Sequence, residues 1–207
     1  MKQWFLLPWL VLLMVPISFG ETKILFIGDS LSAGHGVERD EAYPVLVEAA
    51  LKQQGLEVQV QNVSISGSTT ASALGRLKWY LKSKPDAVFL ALGANDGLRG
   101  QSITGIKNNL LECIKLAQKN HLSVYLAGMK MPPNYGKEYT DQFKNLFVAV
   151  AQETGVPLLP FLLKGVAGRP ELNQADGIHP NRIGHQKVAA LVTSFLANQL
   201  KQAPHVP

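Results

Sequence analysis

Five short strand-like runs alternate along the chain with five stretches whose apolar residues recur at helical spacing, and this alternation leaves few folds open. The runs are Lys23-Ile24-Leu25-Phe26-Ile27, residues 57–63, residues 86–92, residues 122–127 and residues 156–162. Each is short, rich in β-branched, leucine or aromatic residues, and ended by glycine or polar turn residues. Between them, Tyr43, Leu46, Val47, Ala50 and Leu51 share one helical face, as do Leu74, Leu77 and Leu81. The pattern returns at Ile103, Ile106, Leu110, Ile114 and Ala117, at Phe143, Leu146, Phe147, Val150 and Ala151, and at Val188, Leu191, Val192, Phe195 and Leu196. Strand–helix–strand repetition implies right-handed crossovers and a parallel sheet covered on both faces, a three-layer α/β/α sandwich of the α/β class. The run 86–92 is apolar on both faces and belongs near the centre. The alternating run 57–63 and the run holding Pro157 and Pro160 suit the edges. Residues 129–139, with Pro132, Pro133, Asn134 and Gly136, read as irregular.

At 207 residues and 46% apolar content the chain can close one core, and no repeat or linker divides it. Residues 1–20 differ from the rest: a cation at Lys2, an apolar stretch from Trp4 to Ile17, then Ser18 and Gly20. Broken by Pro8 and Pro16, the stretch fits a cleaved export signal better than a membrane span, with an uncleaved anchor as the alternative. That leaves one domain over residues 21–207 and a periplasmic or secreted protein. The formal net charge of +5 comes from scattered lysines. The run Arg76, Lys78, Lys82 and Lys84 is spaced as the solvated face of a helix, so no nucleic-acid partner is expected. Cys113, the only cysteine, excludes an internal disulfide and sits in a helical pattern as a small apolar residue.

Polar turns follow the first three strands, and a fourth polar loop precedes the last helix; in such a sheet they converge on one rim, where ligands bind. The first, Gly28-Asp29-Ser30-Leu31-Ser32, carries a serine hydroxyl out of the sheet, although Asp29, Ser30 and Ser32 are also ordinary turn and cap residues. The last, Asp176-Gly177-Ile178-His179-Pro180-Asn181, sets a carboxylate and an imidazole three positions apart. Asp176 could accept from His179 Nδ1–H and leave Nε2 free to take a proton from Ser30. Taken alone, the same residues also read as a helix cap and a surface histidine. Among the other histidines, His35 has no partner at the right spacing, His121 begins a strand, His205 is in the tail, and His185 could join His179 and Asp176 on a metal only if all three pointed inward. Donors for an oxyanion are available at the backbone N–H groups of Ser30 and Gly67 and at the Asn95 amide, each of which is otherwise a turn residue.

The blocks Gly28-Asp29-Ser30-Leu31-Ser32, Ser66-Gly67, Gly93-Ala94-Asn95-Asp96 and Asp176-Gly177-Ile178-His179-Pro180 resemble, in order and spacing, the four signature blocks of the SGNH (GDSL-type) hydrolases. The stretches 95–100 and 133–136 and residues 176–181 resemble the family's bacterial periplasmic subgroup of acyl-CoA thioesterases, arylesterases and lysophospholipases. The resemblance implies Ser30 as nucleophile, Asp176 and His179 completing a triad, and Gly67 and Asn95 joining the Ser30 N–H in an oxyanion hole. It implies five parallel strands in flavodoxin-like order, no metal and no organic cofactor. Ser32 replaces the second glycine of Gly-x-Ser-x-Gly, so the turn departs from the α/β-hydrolase elbow. Without a long lid insertion the acyl site should be a shallow groove, walled by Leu98 and residues 129–139, with Pro133, Asn134 and Tyr135 among them. Asp29, Leu31, Asp96, Ile178 and Pro180 complete the residues expected at the substrate. The substrate expected is a small acyl ester, thioester or lysophospholipid, met by a monomer with transient contact to a membrane surface. A carbohydrate O-acetylesterase and a non-catalytic lipid- or glycan-binding module are the other readings.

Overall fold

The computed structural model describes residues 20–202; residues 1–19, where an export signal is expected, and His205 lie outside the described residues. Five parallel strands, β1 (Thr22–Gly28), β2 (Val58–Asn62), β3 (Ala87–Ala91), β4 (Ser123–Ala127) and β5 (Leu158–Leu159), lie in the order β2-β1-β3-β4-β5. This is the flavodoxin-like order. All of β3 is buried, as its two-sided apolar sequence requires, and the alternating and proline-flanked strands take the two edges.

The helices are α1 (Ser30–Ala33), α2 (Tyr43–Gln53), α3 (Ala73–Tyr80), α4 (Ala94–Leu98), α5 (Ile103–Lys119), α6 (Lys137–Thr154) and α7 (Arg182–Gln202). α2 packs on α7 on one side of the sheet, while α3 packs on α5 and α5 on α6 on the other. Fully buried Ile24, Phe26, Phe89, Leu90, Phe143 and Phe147 fill the layers between, and burial of each such side chain contributes about 1.5–3 kcal/mol. Phe26 stacks on Phe89 across the β1–β3 pairing, with ring centroids 4.7 Å apart.

Three local departures from the expected pattern bear on the site. The polar turn after β3 is itself a helix, α4, and α6 starts at Lys137, inside the stretch read as irregular. Arg76 is not on a solvated face: half-buried, it donates from Nη1 to the Gly28 carbonyl (3.0 Å) and from Nη2 to Ser68 Oγ (2.7 Å). The last carbonyl of β1 accepts this bond together with one from the Ile65 N–H at 3.2 Å, so Arg76 ties the strand end to the loop after β2.

Candidate active site

β1 delivers the chain to Asp29, which caps α1: its Oδ1 accepts from the Leu31 N–H at 3.0 Å. Ser30 is therefore the first residue of α1, above the sheet rim. Its Oγ lies 2.9 Å from His179 Nε2, and His179 Nδ1 lies 2.7 Å from Asp176 Oδ2. Asp176 Oδ1 also accepts the backbone N–H groups of Ile178 and His179, both at 3.0 Å. These bonds, the His179 N–H first, hold the carboxyl down at about 2, so it is ionised throughout the physiological range. With Nδ1–H donating to the carboxylate, Nε2 is left as an acceptor for the Ser30 hydroxyl.

Gln174 joins the two loops: its Nε2 donates to the carbonyls of His35 (2.7 Å) and Pro180 (2.9 Å), and its N–H donates to the His179 carbonyl (2.8 Å). His35, expected to stand alone, packs its ring 4.6 Å from that of His179, centroid to centroid, with the planes inclined 50°.

Opposite the imidazole, Gly67 sits at φ +78°, a conformation that favours glycine, and Arg99 Nη2 donates to its carbonyl at 3.2 Å. Asn95 Nδ2 donates to the Ser68 carbonyl at 3.1 Å and to Asp29 Oδ2 at 3.4 Å. The N–H groups of Ser30 and Gly67 meet no acceptor among the described residues. Ser30, Gly67, Asn95 and His179 all border one cleft of about 670 Å³. The rim thus gathers a hydroxyl, an imidazole hydrogen-bonded to a carboxylate and three N–H donors, the set needed for acyl transfer.

The cleft gathers some of the residues expected at the substrate and not others. Leu31, Leu98, Pro133 and Ile178 line it, but Asp29, Asp96, Asn134, Tyr135 and Pro180 do not. Asp29 and Asp96 are fully buried and Pro180 is buried, each consumed by the fold. Asp96 accepts from the Thr70 N–H (2.9 Å) and hydroxyl (2.6 Å), and Tyr135 donates its hydroxyl to the Leu98 carbonyl (3.0 Å). Phe161, Leu163 and Ala167, beyond β5, supply apolar wall that no motif announced. At about 670 Å³ the cleft falls in the size range of ligand pockets.

Two other candidates fall away. Cys113 is buried in α5, and burial pushes its thiol up to about 12. His185 faces the core, where its Nδ1 accepts the Tyr43 N–H at 3.2 Å and burial drives its pKa down to about 4. Among the described residues no group of three histidine, cysteine or acidic side chains could hold a metal ion.

Residues 26–187 match the model of the GDSL-like lipase/acylhydrolase family. The chain is 40% identical over 179 residues to an arylesterase of Vibrio mimicus, spanning 86% of this chain and 90% of that one. It is 35% identical over 197 residues to thioesterase 1/protease 1/lysophospholipase L1 of Escherichia coli K12, spanning 94% of this chain and 91% of that one. Its fold superposes with a TM-score of 0.84 on the psychrotrophic esterase EstA from Pseudoalteromonas, solved inhibited by monoethylphosphonate, at 31% identity over 88% of this chain and all of that one.

Proposed function

Because the chain belongs to the GDSL-like lipase/acylhydrolase family and is an ester hydrolase of the esterase, thioesterase and lysophospholipase type, we propose that it cleaves single-chain acyl esters and thioesters through an acyl-enzyme on Ser30. The observation that carries this reading is the continuous relay from Ser30 Oγ to His179 Nε2 (2.9 Å) and from His179 Nδ1 to Asp176 (2.7 Å).

Ser30 Oγ attacks the acyl carbon as its proton passes to His179 Nε2, and the carbonyl π pair moves onto oxygen. The Ser30 and Gly67 N–H groups and the Asn95 amide receive that oxyanion. The Asn95 amide is already committed to Ser68 and Asp29; the 3.4 Å bond to Asp29 is the longer, and so the one the oxyanion displaces. Asp176 stabilises the imidazolium. Collapse breaks the bond to the alcohol or thiol, which leaves with the proton from Nε2. Water then repeats the sequence and frees the carboxylic acid and Ser30.

The apolar wall built by Leu98, Met131, Pro133, Phe161 and Ile178 supports an alkyl acyl group over the acetyl group of a carbohydrate ester. The composition of residues 1–20 supports export and cleavage, leaving residues 21–207 as one domain outside the cytoplasm. The test is hydrolysis of a p-nitrophenyl ester together with labelling by a fluorophosphonate. Ser30→Ala should lose label and at least about 10⁴-fold of the rate; near wild-type hydrolysis by that variant sinks the reading.

A further inference from the structure

Beside the cleft the surface carries two large apolar side chains that the fold does not bury. Trp79 is 64% exposed and Ile65 58%, and both line one groove with Val63, Ser64 and Arg76. Trp79 comes from α3 and Ile65 from the loop after β2. The next residues of that loop, Ser66 and Gly67, wall the cleft, so groove and cleft share a rim. Arg76 fixes the two elements together through its bond to Ser68.

The chain segment that builds the groove is rich in cations. From Ser64 to Pro85 the chain has four cations, Arg76, Lys78, Lys82 and Lys84, and no carboxylate. The three lysines are exposed, and Lys82 Nζ lies 3.7 Å from the centre of the Trp79 ring. Lysine is depleted at protein–protein interfaces, whereas an indole and an aliphatic side chain ringed by lysines match the boundary between anionic headgroups and acyl chains. We propose that Ile65, Trp79, Lys78, Lys82 and Lys84 form a docking surface for an anionic phospholipid bilayer, which sets the cleft mouth where single-chain lipids leave or enter the membrane. Its use rests on the lipid-ester reading above; the binding itself does not.

The chain from Glu21 onward holds every core residue of the described fold, Ile24 to Ala197, and Trp79 is its only tryptophan, because Trp4 and Trp9 lie in the leader. Its fluorescence therefore reports this surface alone. Phosphatidylglycerol vesicles should shift the emission to the blue and carry the protein down on sedimentation, phosphatidylcholine vesicles should do neither, and salt should release it. Replacing Lys78 and Lys82 together by Gln should weaken partitioning roughly 30-fold, about five-fold for each charge, and Trp79→Ala should weaken it further. No shift and no sedimentation with the anionic vesicles, equal binding to neutral ones, or a lysine pair without effect overturns the proposal. Ser30→Ala should bind as the parent does, so a failure of the acyl-enzyme reading would leave these readouts standing.

Discussion

Asn95 Nδ2 donates across 3.4 Å to Oδ2 of Asp29, a carboxylate with no solvent exposure that directly precedes the proposed nucleophile. Its other oxygen holds the Leu31 N–H, so one buried acid ties the cap of α1 to the amide proposed for the oxyanion. Burial raises its pKa from 3.8 to about 6 against those hydrogen bonds.

Asp29→Asn should therefore separate folding from turnover. The new carbonyl can still accept from Leu31, but the new NH₂ faces that of Asn95, two donors with no acceptor between them. Asn95 must turn, and the imidazolium loses a nearby negative charge. We expect kcat to fall by about 10- to 100-fold, less than the 10²–10³ of removing an oxyanion donor outright, with KM little changed. A variant with wild-type kcat would show that Asp29 does not position Asn95.

The same carboxyl and His185 should pull the pH dependence of stability in opposite directions. Asp29, with its folded pKa raised from 3.8 to about 6, keeps its proton in the fold but not in the unfolded chain between those values, so stability falls as pH rises through that window, by about 3 kcal/mol in total. His185, lowered from 6.5 to about 4, is protonated only when unfolded between those values, so stability rises with pH by a comparable amount. The two nearly cancel between pH 4 and 6, and urea midpoints of the wild type should change little there on their account. Asp29→Asn should expose the rising limb, and His185→Asn, whose carbonyl can still accept from Tyr43, the falling one. Parallel profiles for the two variants would sink this account.

Asp96 stands next to the proposed oxyanion residue yet serves the fold. Asp96→Ala strips acceptors from the Thr70 N–H and hydroxyl, both buried, while Asn109 still donates to that hydroxyl. The loss should be about 2–4 kcal/mol in urea unfolding, with KM for a short p-nitrophenyl ester unchanged. A raised KM at intact stability would return Asp96 to the substrate.

What the sequence revealed and what it hid divide along contact range. β1 is legible because an apolar run stops at Gly28, and the Asp176–His179 pair because its bonds close within four residues. Gln174 is invisible in the same way that Arg76 is misleading: besides its near partners each side chain reaches one 139 or 48 residues away, and nothing local marks those long-range bonds. The helix α4 was hidden by its glycines. Gly93, at φ +120°, is required by its backbone as well as by Phe147 above it, while Gly97 is required by packing alone, pressed by Met131 and Phe143. Beside their motifs Asp29 and Asp96 look available in the sequence, and only burial shows that backbone N–H groups already hold their oxygens.

Phe161 offers the sharpest test of what the cleft is for. It borders the cleft from the chain beyond β5, with Lys130 Nζ 5.0 Å from its ring centre. Each methylene buried there is worth about 0.8 kcal/mol, close to four-fold in kcat/KM. Over a series of p-nitrophenyl esters the wild type should therefore climb with acyl length until the cleft is full. Phe161→Ala removes wall that only the longer chains reach, so its slope should flatten while the acetyl ester stays within about two-fold of wild type. An enzyme that prefers acetyl to octanoyl esters would mean that the apolar wall holds no alkyl chain, and the carbohydrate O-acetylesterase reading would take its place.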